Sequence, residues 1–263
     1  MSTVVFLGGG RITSAMLAGL RLGKSKHHLV VHDRNPGKLR DLKKRYVVAV
    51  EPNLNRAVEQ ADTLIVAVRP SSVRELLDSA GKINQARLAI SLAAGVRLRV
   101  LSTWAGPPVK WVRAMPSPVC RSGRGLTAVT FPRTLPRADR KRVHDFFASF
   151  GQVVEMPESK LDAFTVTFSC SHGYHALATL ARAAQEAGLD RKTALLASAH
   201  ALADGIVAWR DGKHSLESLL EEAATPGGVA AATISAMDAA GYGRAVRQGV
   251  AAGLRRARMN ARK

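Results

Sequence analysis

The chain has 263 residues, enough for one large domain or two modest ones with a buried core. Hydrophobic residues make up 46% of it, no apolar run is long enough to span a bilayer, and two cysteines exclude a disulfide framework. A formal net charge of +19 would attract nucleic acid, anionic lipid or anionic substrates, but the arginines are spread through every predicted element and do not by themselves define a nucleic-acid protein.

The first predicted element is an apolar strand, Val4-Val5-Phe6-Leu7, followed by Gly8, Gly9 and Gly10 and then the helix pattern Ala15-Met16-Leu17-Ala18-Gly19-Leu20. A strand, a glycine turn and a helix in that order let backbone N–H groups approach a pyrophosphate, whose charge the helix N-terminus favours. The dinucleotide pattern G-x-G-x-x-G/A is kept except at its third small position, which is Thr13. A second strand, Leu29-Val30-Val31-His32, runs into Asp33, placed to meet an adenosine ribose, and Arg34, placed to meet a 2′-phosphate. The two signals conflict, so both NADPH and NADH remain open as cofactor.

Helix-length segments 36–46 and 71–82 alternate with strands at Val47–Val50, Thr63–Val68, Leu88–Leu92 and Val109–Met115. Leu126–Phe131 and Val153–Met156 are expected as later strands, flanking a basic helix over Arg137–Phe150. Beyond Pro157 the pattern turns helical: Lys160–Glu186, broken at Ser169–Gly173, then Arg191–Arg210, Ser215–Ala223, a helix through Met237, and Arg244–Arg258. Pro226-Gly227-Gly228 is a strong break among them. The chain closes on its densest basic cluster, Arg255, Arg256, Arg258, Arg262 and Lys263, which reads as a solvated helix end and tail. The expected fold class is α/β, with a Rossmann-type dinucleotide-binding domain at 1–157 and an all-helical domain at 158–263.

Catalytic motifs are sparse. No H-E-x-x-H or comparable ligand set supports a metal, and the glycines lack the Gly-Lys-Ser/Thr of a phosphate-binding P-loop. His172 sits on the irregular break and has a proton to give, Ser171 offers a hydroxyl or a helix cap, and Cys170 reads as a small packing residue. Gly227 and Gly228, just before a helix, can present N–H groups to a carboxylate or simply start that helix.

Several short segments in order resemble the pyrroline-5-carboxylate reductase family: Phe6-Leu7-Gly8-Gly9-Gly10, Asn53, Val66-Ala67-Val68-Arg69-Pro70, Ser91-Leu92-Ala93-Ala94-Gly95-Val96, Arg113-Ala114-Met115-Pro116 and Pro226-Gly227-Gly228. The resemblance implies NAD(P)H-dependent reduction of a cyclic imine, 1-pyrroline-5-carboxylate to L-proline, on a Rossmann domain joined to a helical dimerisation domain; the two cysteines fit a cytoplasmic setting, the absence of a long apolar run fits no membrane, and the Ala-rich helices fit a homodimer or higher homo-oligomer. It implies a cofactor site drawn from Gly8, Gly10, Arg11, Ile12, Asp33, Arg34, Asn53, Ala67, Val68, Arg69, Pro70, Ala94, Gly95, Met115 and Pro116. On the substrate side it implies Ser171, Gly227, Gly228, Val229 and Ala230.

Departures cluster at that substrate end. The family's lysine before proline is Arg69, its Met-Pro-Asn-Thr-Pro run reads Met115-Pro116-Ser117-Pro118-Val119, and its Gly-Ser-x-Pro-Ala-Tyr loop reads Ser169-Cys170-Ser171-His172-Gly173-Tyr174. Its threonine after the Pro-Gly-Gly turn falls on Ala230. Two alternatives therefore stand beside proline formation: reduction of another imine or keto substrate, and a nucleotide-dependent binding or regulatory protein whose charge suits an acidic partner such as nucleic acid.

Overall fold

A computed structural model describes residues 2–260 except Lys82, Asn84 and Ala86. Met1, the expected helix end at Lys82, and Arg262 and Lys263 of the basic cluster lie outside the described residues. The strands are β1 (Thr3–Leu7), β2 (His28–His32), β3 (Ala49–Val50), β4 (Thr63–Val66), β5 (Leu88–Ser91), β6 (Lys110–Pro116), β7 (Gly125–Thr130) and β8 (Gly151–Glu155). They form one sheet in the order β3-β2-β1-β4-β5-β6-β7-β8. Neighbouring strands run parallel except β6 and β7, which pair antiparallel through Arg113–Thr130 to Pro116–Thr127.

Both faces of the sheet are covered, so its central strands β1, β4 and β5 are largely apolar. Successive side chains alternate between the faces. Val4, Phe6, Ile65 and Ile90 pack with Met16, Leu17 and Leu20 of α1 (Arg11–Leu22) and with Phe146 and Phe147 of α6 (Arg137–Ala148). Val5, Leu7, Leu64 and Val66 pack on the other side with α3 (Leu54–Glu59), α4 (Val73–Ser79) and α5 (Leu98–Trp104). Phe146, Phe147 and Phe150 meet edge to face at 5.2–5.7 Å, each such pair adding about 1 kcal/mol beyond its buried area. Gly19 of α1 lies so close to the Cys120 carbonyl that any Cβ there would overlap it.

Three expected elements differ in extent. The third strand keeps only Ala49–Val50, because Tyr46 closes α2 (Pro36–Arg45) and Val47 stands 91% exposed before the chain meets β2. The fourth ends at Val66, and Ala67-Val68 turn away into a loop. The helix expected at 71–82 is a single 3-10 turn, Pro70–Ser72, running into α4.

The chain divides into two compact units: residues up to Phe168 together with those from Gly253 onward, and Ser169–Ala252. The compositional change at Pro157 marks the start of α7 (Glu158–Thr167), but this helix stays with the sheet. Glu158 is the reason: its Oε1 accepts the Leu98 N–H at 2.7 Å and the Arg113 guanidinium at 3.0 Å. Asp162, one turn on, takes the other arm of Arg113 at 3.4 Å.

The second unit consists of α8 (Ser171–Glu186), α9 (Arg191–Asp211), α10 (Leu216–Ala223), α11 (Val229–Ala239) and the first part of α12 (Tyr242–Asn260). Gly188 at φ +104° turns the chain between α8 and α9, and the Asp190 carboxylate caps α9 by accepting the Lys192 and Thr193 N–H groups. Hydrogen bonds hold that carboxyl below its usual range, the Thr193 hydroxyl being the largest cause and the Thr193 N–H the next. Among the described residues no helix is long and apolar enough to cross a membrane.

Candidate functional site

The chain order reverses beside β1, which pairs with β2 on one edge and β4 on the other. Connections leaving β1 and β4 therefore diverge and open a crevice at the carboxyl ends of the strands. A cleft of about 1400 Å³ lies there.

Its floor is the glycine turn. Gly8 has φ +115°, and a Cβ on it would stand 2.8 Å from the Ala67 carbonyl oxygen, so only glycine fits. Gly9 donates its N–H to Asp33 Oδ2 at 2.7 Å, which ties the turn to the end of β2. Gly10 is the N-cap of α1, makes no side-chain cap, and a Cβ on it would meet nothing within 4 Å. The helix thus opens onto free space with no acidic residue in its first turn. That is the arrangement an anion needs, because the first N–H groups of a helix are unpaired and carry its positive end. Thr13, the departure from the glycine pattern, is fully buried and donates its hydroxyl to the Gly8 carbonyl at 2.5 Å. The substitution therefore keeps strand and helix close and satisfies its own polar atom.

The walls supply charge. Arg11, Arg34, Lys38, Arg45, Arg69 and Arg121 line the cleft against Asp33, Asp41 and Glu75, an excess of cations suited to phosphate. Of the residues expected at the cofactor, Gly8, Gly10, Arg11, Ile12, Asp33, Arg34, Asn53, Ala67, Val68 and Arg69 are brought together here. Asn53 has a second task, capping α3 by accepting the Arg56 N–H at 3.1 Å. Pro70, Ala94, Gly95, Met115 and Pro116 are not among the residues lining this cleft. Gly95, at φ +82°, lies where a Cβ would run into the Ala257 carbonyl, and Pro116 ends β6.

Sequence reasoning overlooked Lys38, Glu75 and Arg121. Lys38 was signalled by its place two residues into a Pro-initiated helix after Asp33. Arg121 follows from the Ser117-Pro118-Val119 run, where Ser117 Oγ accepts the Val119 N–H at 3.1 Å and starts a 3-10 turn. Glu75 carried no local signal. A glycine turn, an uncapped helix and this donor set fit the pyrophosphate and ribose ends of a dinucleotide.

In the helical unit, His172 and Tyr174 are exposed on the first turns of α8. The Ser171 hydroxyl lies 2.6 Å from that of Ser169, and Ser171 opens the helix without capping it; Cys170 stands at the N-cap. The expected capping role of Ser171 is therefore corrected: the oxygen that accepts a backbone N–H there, at 3.4 Å, is that of Ser169. Gly227 takes φ +79°, and Gly228 is the N-cap of α11 with no side-chain cap and no acidic residue in the first turn. Val229 and Ala230 then open the helix, while the Thr233 hydroxyl is spent on the Val229 carbonyl at 2.9 Å. Among the described residues no group of three or more His, Cys, Asp or Glu side chains is placed to hold a metal ion.

Comparison with known proteins agrees with this layout. The family described as "NADP oxidoreductase coenzyme F420-dependent" matches residues 3–95, and "Pyrroline-5-carboxylate reductase dimerisation" matches residues 158–260. A pyrroline-5-carboxylate reductase of Mycobacterium leprae is 33% identical over 214 residues, covering 77% of this chain and 72% of that protein. One from Synechocystis is 28% identical and covers 95% of both chains. A crystal structure of the pyrroline carboxylate reductase of Plasmodium falciparum with NADP bound superposes with a TM-score of 0.89 at 20% identity, over 99% of this chain and 98% of that one. The glycine turn, the sheet order and the helical half thus have one common explanation: the chain belongs to the pyrroline-5-carboxylate reductase family.

Proposed function

We propose that this protein reduces 1-pyrroline-5-carboxylate to L-proline with NADPH or NADH, as a cytoplasmic homodimer. The observation that carries the reading is the cleft at the carboxyl ends of β1 and β4, whose uncapped helix and cationic walls suit a dinucleotide, in a chain of this family. The α1 N–H groups and Arg11 would hold the pyrophosphate, with Gly8, Gly10 and Ile12 giving it room. Asp33 and Arg34 would face the adenosine ribose, and Asn53, Ala67, Val68, Arg69 and Pro70 the body of the nucleotide. Ala94, Gly95, Met115 and Pro116, at the carboxyl ends of β5 and β6, are assigned to its nicotinamide end.

Bound there, the reduced nicotinamide supplies a hydride to the imine carbon. Gly227, Val229 and Ala230 offer N–H groups at the α11 start to the substrate carboxylate, Gly228 shapes that turn by giving its own N–H to the Thr225 carbonyl at 2.9 Å, and Ser171 is a further hydroxyl contact. The nitrogen takes its proton from water or from His172, and the turnover of His172→Gln separates the two.

The homodimer is supported by Leu195, Leu196, Ile206, Val207 and Trp209 of α9, all exposed on a single chain. A cytoplasmic setting suits the free thiols of Cys120 and Cys170. The test follows NAD(P)H oxidation with pyrroline-5-carboxylate and then with a panel of cyclic imines and keto acids. Rapid turnover of pyrroline-5-carboxylate is expected, and cofactor binding without reduction of any panel member overturns the reading. A second reading, another imine as substrate, is favoured by Ala230 standing where the family's threonine falls. Preferential turnover of a different imine would select it.

A further inference from the structure

We infer that Glu75 sets the cofactor preference of this chain by holding Arg34 in place of a 2′-phosphate; the inference rests on the reading that the cleft binds a dinucleotide. The ribose of the adenosine half belongs beyond the end of β2, where Asp33 and Arg34 stand. An acidic residue there ordinarily favours NADH, through its 2′-hydroxyl. Asp33, however, is turned inward: Oδ2 accepts the Gly9 N–H at 2.7 Å, Oδ1 accepts the Asn35 N–H at 2.8 Å, and Lys38 Nζ lies 3.6 Å away. Its side chain is only 13% exposed. Its carboxylate secures the glycine turn and neutralises a lysine, so it repels a 2′-phosphate less than its position suggests.

Of the two residues at the ribose, Arg34 is left as the one whose side chain is not committed to the glycine turn. Its Nη1 lies 2.6 Å from Glu75 Oε1, and the two side chains are 76% and 61% exposed. Arg34 comes from the end of β2 and Glu75 from the first turn of α4, and both line the cleft, so the pair joins elements that follow different strands. A 2′-phosphate brings nearly two negative charges and three acceptor oxygens to the same guanidinium. Glu75 already holds one nitrogen of that guanidinium and repels the phosphate's charge, whereas a 2′-hydroxyl is indifferent to both. The carboxylate is thus a tethered competitor that weakens NADPH and leaves NADH alone.

The test is fluorescence titration of the full-length protein with NADPH and NADH, in wild type, Glu75→Gln, Arg34→Gln and the double variant. Glu75→Gln is expected to tighten NADPH about two- to fivefold, the range for an exposed ion pair, with NADH unchanged. In the Arg34→Gln background that selective gain disappears. An equal gain for both dinucleotides, no gain for either, or a gain that survives Arg34→Gln overturns the inference. Binding of neither dinucleotide by wild type instead overturns the reading of the cleft itself. Both side chains are exposed, and thermal melts of each variant register any loss of folding.

Discussion

The two units of this protein solve burial in opposite ways. The sheet unit hides Phe6, Leu17, Leu64, Ile65, Ile90 and Phe147 almost completely on two faces of one sheet. Between Ser169 and Ala252, the buried residues among those described are Ala181, Ala194 and Ser198, all small. α10 and α11 bury none. One unit completes its core within the chain, and the other presents its leucines and isoleucines outward. Apolar side chains left in water forgo roughly 1.5–3 kcal/mol each, so a helical unit of this kind would gain stability from the second copy proposed above.

Breaking that dependence gives the largest expected effect. Leu195 and Ile206 are eleven residues apart on α9, about three turns, and so lie on one face. Replacing both by glutamate should yield a monomer by light scattering and abolish imine reduction. Binding of NAD(P)H, assigned above to the sheet unit, should persist. A variant that stays dimeric would show that this face of α9 is not where the copies meet.

The sheet unit has a weakness of its own, and it is polar. Arg113 is 1% exposed on β6, paired with Glu158 and Asp162, while its Nε has no hydrogen-bond partner among the described residues. Removing one member of such a buried set costs about 3–5 kcal/mol, because the remaining charges lose their compensation. Arg113→Met should lower the unfolding free energy of the sheet unit, read from urea titration, by about that amount. A loss below about 1 kcal/mol would mean that water reaches the triad.

The glycine turn should separate folding from binding. Gly8→Ala forces a Cβ at φ +115° to within 2.8 Å of the Ala67 oxygen, a strain of about 1–3 kcal/mol that lowers stability as well as affinity. Gly10→Ala meets no atom within 4 Å, so its cost to stability is only that of alanine for glycine at an N-cap, about 1 kcal/mol. Its methyl group nevertheless projects into the space assigned to the pyrophosphate, and affinity for both dinucleotides should fall together. Unchanged affinity in Gly10→Ala would move the pyrophosphate elsewhere.

What could be read from the sequence follows the same divide between local and distant causes. β1, the glycine turn and Asp33 are legible because strand alternation and turn chemistry are written in consecutive residues. α3 and α5 were overlooked because six and seven residues are too few to establish a helical period. Val47 and Val48 have the branched side chains of a strand, but pairing with β2 begins only at Ala49. Arg113 and Glu158 are 45 residues apart, and nothing local to either announces the pair. The cleft was half legible for the same reason: its floor is one continuous motif, while Lys38, Glu75 and Arg121 arrive from three separate elements.

The smallest expected effect contrasts the two cysteines, one in each unit. Cys120 is fully buried against α1, and burial pushes its thiol from 9.0 up to about 11. Cys170 is partly exposed at the start of α8. An alkylating reagent at pH 8 should therefore modify Cys170 in the native protein and reach Cys120 only after unfolding. The same shift makes stability depend on alkaline pH. With the folded value raised, the unfolded chain loses this proton first, so stability is intact below about pH 9 and falls as pH rises toward about 11. At pH 9 the loss is still only about 0.4 kcal/mol, half of the unfolded thiols being ionised. Cys120→Ala should abolish that part of the decline while lowering stability uniformly through the lost packing. Rapid labelling of Cys120 in the folded protein would show that the contact between α1 and the 3-10 turn at Pro118–Ser122 opens readily, and that the sheet unit is less closed than its buried side chains imply.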